Sequence, residues 1–130
     1  MKEERKRART WAKDNIPEFG IKINIANYPV EVLSFYRSDV KSITGKSHED
    51  AAYLFSQISN LPEMLKEAIY MGSSPDYGSH NEVCFWHYFY FTMNKRSSYF
   101  NIMETKKGEF RIYSVSDEKG FDEYKIKNKV

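Results

Sequence analysis

The stretch 83–116 constrains this chain most. It reads as three consecutive strands joined by two short turns. The first run, Val83-Cys84-Phe85-Trp86-His87-Tyr88-Phe89-Tyr90-Phe91-Thr92, is dense in aromatic and β-branched residues, the types that fit a pleated, half-buried surface. Asn94 to Ser97 is a polar turn, and Tyr99 to Thr105 is the second run. Lys106-Lys107-Gly108 is a three-residue turn, with glycine where a left-handed backbone is usually needed. Phe110 to Ser116 is the third run.

Side chains alternate across a strand, so each run divides into two faces. Pairing Met93 with Ser98 sets Phe91 opposite Phe100, Phe89 opposite Ile102 and His87 opposite Glu104. Pairing Thr105 with Glu109 sets Ile102 opposite Ile112 and Tyr99 opposite Val115. One face then carries Val83, Phe85, Phe89, Phe91, Phe100, Ile102, Phe110 and Ile112, which is the expected core. The other carries Trp86, Tyr88, Tyr90, Tyr99, Asn101, Met103, Arg111 and Tyr113, aromatic but polar-tipped. That second face fits packing under Trp11 or an N-terminal hairpin. The alternative is an open platform on which bases stack, with Arg111 available to a phosphate.

Upstream, Glu3 to Asn15 lacks Gly and Pro and is rich in Ala, Arg, Lys and Glu, which predicts a helix anchored by Trp11. Gly20 to Ile25 and Val30 to Ser34 each alternate at period two and flank the turn Ala26-Asn27-Tyr28-Pro29, a hairpin pattern. Phe35 to Gly45 is ambiguous, with one short helical turn over Ser38 to Ile43. Ser47-His48-Glu49-Asp50 has the shape of a capping box, Ser with an acid three residues later, opening an apolar stripe. Helices are predicted over 48–58 and 61–71, the second stopped by Gly72, with a loop from Ser73 to Asn81. The expected fold class is α+β: an N-terminal helix and β-hairpin, then two central helices packed on a mainly antiparallel sheet with a C-terminal three-stranded meander. Residues 1–116 form a single domain in this reading. Residues 117–130, with Phe121 and Tyr124 as the large apolar side chains, form a partly ordered tail.

Composition limits the function. Hydrophobic residues are 41% and aromatics 16%, which argues for a folded core and against disorder. Cys84 is the one cysteine, so no internal disulfide forms, and a reducing cytoplasm is the expected location. The first residues lack the apolar core of a signal peptide, and no apolar run approaches the ~20 residues of a membrane span. Net charge is +2, unevenly placed: residues 1–13 hold six basic and two acidic side chains, net +4, against −2 for the rest. Such an arm is either a solvated helix face or a local attractor of phosphates.

Chemistry has few candidates. His48 falls at the first turn of its predicted helix, where the dipole favours anions and a neutral imidazole that could act as a general base. Lys41 and Lys46 lie just upstream. The same position also suits a plain helix-start residue. His87 on the apolar face reads as a core histidine against Glu104, and His80 as a loop residue. Three scattered histidines and one cysteine have no metal spacing, so no cofactor is expected. There is no glycine-rich phosphate loop and no nucleophile elbow.

The order helix, hairpin, helical pair, aromatic meander resembles the barnase–EndoU–colicin–RelE superfamily of nuclease-like domains, and more closely the large polyvalent-protein-associated domains of phage and conjugative elements. The resemblance rests on Arg9-Thr10-Trp11-Ala12, the Ile21–Ile25 strand with Val30-Glu31-Val32-Leu33-Ser34, His48, Leu61-Pro62-Glu63-Met64-Leu65-Lys66-Glu67-Ala68 and His87–Thr92. It covers roughly residues 9–116. It implies metal-independent RNA cleavage, in which a base takes the ribose 2′-hydroxyl proton and a cation stabilises the phosphorane. Carried onto this chain, His48, Arg111, Tyr113 and Ser114 become the catalytic candidates. Lys46 joins Arg111 in holding phosphate, and Tyr88, Tyr90 and Asn101 become substrate contacts. The other expectation is a non-catalytic module that binds a protein or nucleic acid of the same mobile element through the aromatic face or the basic helix. His48 and Arg111 converging on one cleft would favour the enzyme; a packed His48 would favour the binder.

Overall fold

The computed structural model describes residues 1–76, 78 and 80–122. Helix α1 (Lys2–Asn15) carries Glu3 and Glu4 in its first turn and Lys13 in its last, charges that complement the helix dipole. Ala8 and Ala12 are buried, and Trp11 packs on the main core. The Arg37 guanidinium donates to the carbonyls of Lys13 and Ile16, acceptors that a helix end leaves without partners. Strands β1 (Ile21–Asn27) and β2 (Val30–Phe35) pair antiparallel, Ile23 opposite Leu33, as the alternation predicts. Helix α2 (Arg37–Thr44) is a full eight residues where only one turn was expected, and Asp39 accepts the Tyr36 N–H at its start.

The central helices are shorter than predicted. Helix α3 (Ala51–Ser56) is followed by a 3-10 turn (Ile58–Asn60) and α4 (Leu61–Glu67). Asp50, without a side-chain cap, precedes α3, so Ser47 makes no capping box. The segment expected to end the second helix and enter a loop is instead strand β3 (Ile69–Pro75). Ala68 is already extended, and β3 forms a ladder along β4 (Val83–Met93), from Ile69 opposite Tyr90 to Pro75 opposite Phe85. Those ladder bonds satisfy more backbone than one extra helical turn.

The meander forms as read, with β4, β5 (Arg96–Thr105) and β6 (Phe110–Asp117) antiparallel. Its first register differs. Asn94 and Lys95, at φ 49° and 64°, make a tight two-residue turn that pairs Met93 with Arg96 and Phe89 with Phe100. The slip from the expected register is two residues, so each side chain keeps its face. Ile102 does face Ile112, but an irregularity beside it leaves Tyr113 unpaired, so Tyr99 meets Ser116, not Val115. A second irregularity between Val83 and Phe85 sends Val83 to the opposite cluster, and Phe85 is 44% exposed. Those two leave the expected core face; Phe89, Phe91, Phe100, Ile102, Phe110 and Ile112 remain on it.

The sheet order is β1-β2-β6-β5-β4-β3, with β2 and β6 the parallel pair. The sheet curls: Tyr28 in the β1–β2 turn meets Tyr70 of β3, at the far edge, with ring centroids 5.7 Å apart. Helices α1 to α4 pack inside the curl and bury Val40, Leu54, Phe55, Leu61 and Leu65 against the phenylalanine face. The opposite face is covered, but neither by Trp11 nor by the hairpin. Residues 118–122 are helical, and Phe121 stacks on Tyr99 at 3.9 Å and packs against Tyr88. His80 packs edge-on against Trp86 and Tyr113. Trp86, Tyr88, Tyr99 and Asn101 are buried there. Tyr124 and the rest of the expected tail, 123–130, lie outside the described residues.

Candidate functional site

His48 precedes α3 in a turn and does not sit in its first helical turn. It is buried, and both ring nitrogens are engaged. The Asp50 N–H donates to Nδ1 at 2.9 Å, so in the neutral ring Nε2 carries the proton and donates to Ser98 Oγ at 3.3 Å. Burial pushes the imidazole below its ordinary pKa, against the pull of the Asp117, Asp50 and Glu49 carboxylates. The proton-accepting lone pair is therefore spent on backbone. His48 acts as a cap for the turn into α3.

Arg111 lies at the other end of β6. Its guanidinium grips Asp39 at 2.6 and 3.1 Å, reaches Ser38 Oγ and lies 4.6 Å over the Tyr36 ring. Burial raises the Asp39 carboxyl above its usual range, with Arg111 opposing. Glu49, next to His48, bonds Asp117, six residues along β6 from Arg111, or about 20 Å at ~3.3 Å per residue. His48 and Arg111 therefore do not converge on one phosphate.

The remaining candidates meet in pairs, not as one site. Lys46 Nζ donates to Ser42 Oγ and to the Tyr113 carbonyl, both at 2.9 Å, and sits 3.6 Å over the Tyr113 ring. Burial lowers its pKa. Asn101 donates to Ser114 and Ser116 beneath the sheet, and the Tyr88 hydroxyl pairs with Ser74 at 2.7 Å. Tyr90 is half-buried against Tyr99. Phe121 closes the stacking surface over Tyr88 and Tyr99, so the aromatic face is a second core, not an open platform.

One open surface is strongly basic. At 100° per residue, Lys2, Arg5, Lys6, Arg9 and Lys13 fall within about 100° of the α1 circumference. The acids of that helix's first turn are engaged elsewhere, Glu3 with Arg7 and Glu4 with the N-terminus. Arg5 and Arg9 donate through Nε to the Thr44 carbonyl and hydroxyl at 2.9 Å, which locks α1 against α2. That packing brings Arg37 and Lys41, one turn apart, beside Arg9 and Lys13 around one shallow depression. An adjoining depression is lined by Lys2, Arg5, Lys6, Arg9, Thr10 and Lys13. Neither lining contains an acidic residue. The α1 half of this surface is visible as a charge excess in the sequence. Arg37 was not anticipated; its i,i+4 spacing with Lys41 was the available signal.

Among the described residues, no cluster of three His, Cys, Asp or Glu side chains could hold a metal, and no helix is long and apolar enough to cross a membrane. The fold and surface define a small α+β domain with a buried aromatic second core and a basic two-helix face. The family model of the large polyvalent protein-associated domain 3 matches residues 1–113, and the chain belongs to that family. Among curated proteins and among solved structures nothing matches it.

Proposed function

We propose that this domain is a nucleic-acid-binding module of a mobile element's polyvalent protein, docking a phosphate backbone on the α1–α2 face without cleaving it. The observation that carries this reading is the pair of adjoining depressions lined by Lys2, Lys6, Arg9, Lys13, Arg37 and Lys41, neither with an acid in its lining. Two helices held together by Arg5 and Arg9 present those charges in a fixed arrangement. RNA is the partner that the resemblance to nuclease-like domains implies. Cleavage by His48 has less support, because its lone pair accepts a backbone N–H.

The test is an anisotropy titration with a short single-stranded RNA over a range of salt. Binding weakens with a slope of about 0.7 in log K per log salt for each phosphate neutralised. Reversing Lys2, Lys6, Lys13 and Lys41 to Glu, all exposed, abolishes it. Unchanged affinity in that variant overturns the reading. Metal-free cleavage of RNA by the wild type, lost in His48→Ala, would restore the nuclease.

A further inference from the structure

A second histidine site lies apart from the basic face, and none of its residues is used by the binding proposal. Ser73 is exposed on β3, an edge strand of the sheet. Its Oγ lies 2.5 Å from His87 Nδ1, and His87 Nε2 lies 2.8 Å from Glu104 Oε1. The carboxylate can only accept, so Nε2 carries the proton. Nδ1 therefore presents its lone pair to the Ser73 hydroxyl. The Tyr70 hydroxyl also bonds Ser73 Oγ. With the serine proton directed at Nδ1, Tyr70 must be the donor, which fixes the serine rotamer.

The geometry points to Ser73, His87 and Glu104 as a nucleophile, base and orienting acid that hydrolyse carboxylic esters. A hydroxyl bonded to a base whose far nitrogen is held by a carboxylate is the arrangement that activates serine. The burial gradient suits the roles: the His87 side chain is 6% exposed and Glu104 30%, while Ser73 faces solvent. The surroundings are aromatic. Phe85 stacks on His87, Phe110 tilts onto it, and Tyr28 packs edge-on against Tyr70. Phe85 and Tyr28 are exposed. That rim fits an ester with an apolar acyl or aryl group.

In the first step the Ser73 Oγ–acyl carbon bond forms as the hydroxyl proton passes to His87 Nδ1. The ester C–O bond then breaks, and the leaving alcohol takes that proton. Water, deprotonated by His87, attacks the acyl-serine and releases the carboxylic acid, and the Ser73 hydroxyl is restored. Glu104 keeps the imidazole oriented and balances its transient charge. It is a positioning residue. Aryl esters demand least of the site, because their leaving group departs without a proton.

The experiment uses p-nitrophenyl butyrate for turnover and a fluorophosphonate probe for labelling, with the modified residue located by peptide mass. The wild type hydrolyses the ester and carries the label on Ser73. Ser73→Ala, a change at an exposed edge position, loses both while its circular dichroism stays native. His87→Gln slows both by about 10²-fold or more. Glu104→Gln lowers kcat with KM unchanged, a split that a purely structural ladder would not give. Absence of label on Ser73 in the folded wild type overturns the proposal. So does hydrolysis that survives Ser73→Ala.

Discussion

His48 and His87 are both buried, and each has a serine hydroxyl on one ring nitrogen. They differ in where the lone pair points. In His48 it accepts the Asp50 N–H, and Nε2 donates to Ser98, which is itself fully buried. In His87 the Nε2–H donates to Glu104, and the Nδ1 lone pair meets Ser73 at the surface. A histidine that caps backbone has no basicity to offer a substrate; one whose proton is held by a carboxylate keeps its lone pair outward. The residue type is the same, and the tautomer forced by neighbours decides what each can do.

The largest predicted effect separates these roles by stability. His48→Ala leaves the part-buried Asp50 N–H and the buried Ser98 hydroxyl without their imidazole partner, at a cost of about 2 kcal/mol. His48→Asn places an amide oxygen close to the position of Nδ1 and should recover about half of that loss. Chemical denaturation of the three proteins measures both numbers, and equal losses in the two variants would show that packing, not capping, holds the turn. The serines give the next contrast. Ser98→Ala removes one buried hydrogen bond and costs about 1 kcal/mol. Ser73→Ala, on an exposed strand edge, should stay within about 0.5 kcal/mol. A Ser73 variant as unstable as the Ser98 variant would make the His87 ladder a structural feature first.

The two histidines also mark where sequence reasoning reaches. The β4 alternation was legible because phenylalanines at 89 and 91 and tyrosines at 88 and 90 divide cleanly at period two, and it put His87 near Glu104 even with the register two residues off. Strand β3 was not legible. Ile69 extends the Leu61, Leu65, Ala68 stripe at helical spacing, and Gly72 looks like a helix stop, so Ser73 and Tyr70 fell in a supposed helix end and loop. Bulges at Cys84 and Tyr113 carry no composition signal, yet one of them turns Val83 over. Asp39 lies 72 residues from Arg111, and that pairing exists only once α2 packs beside β6. The cover over the aromatic face was missed because Phe121 sits in a polar, charged segment that resembles a tail.

The smallest effect is a pH dependence that should belong to His48. Its folded pKa lies below its unfolded value of ~6.5, so the unfolded chain binds the extra proton first. The stabilisation is complete above ~6.5 and is lost as pH falls from there through the folded value. Asp117 titrates in a separate, lower window. Burial raises its carboxyl, but the N–H groups of Gly120 and Glu49 hold it below the ordinary range overall. Its stabilisation is therefore lost only below about pH 4. Melting temperature followed from pH 7 to 3 should show two descents in the wild type, with His48→Asn keeping the lower and losing the upper. An upper descent that persists in His48→Asn would assign it to another group and remove the electrostatic half of the contrast between the histidines.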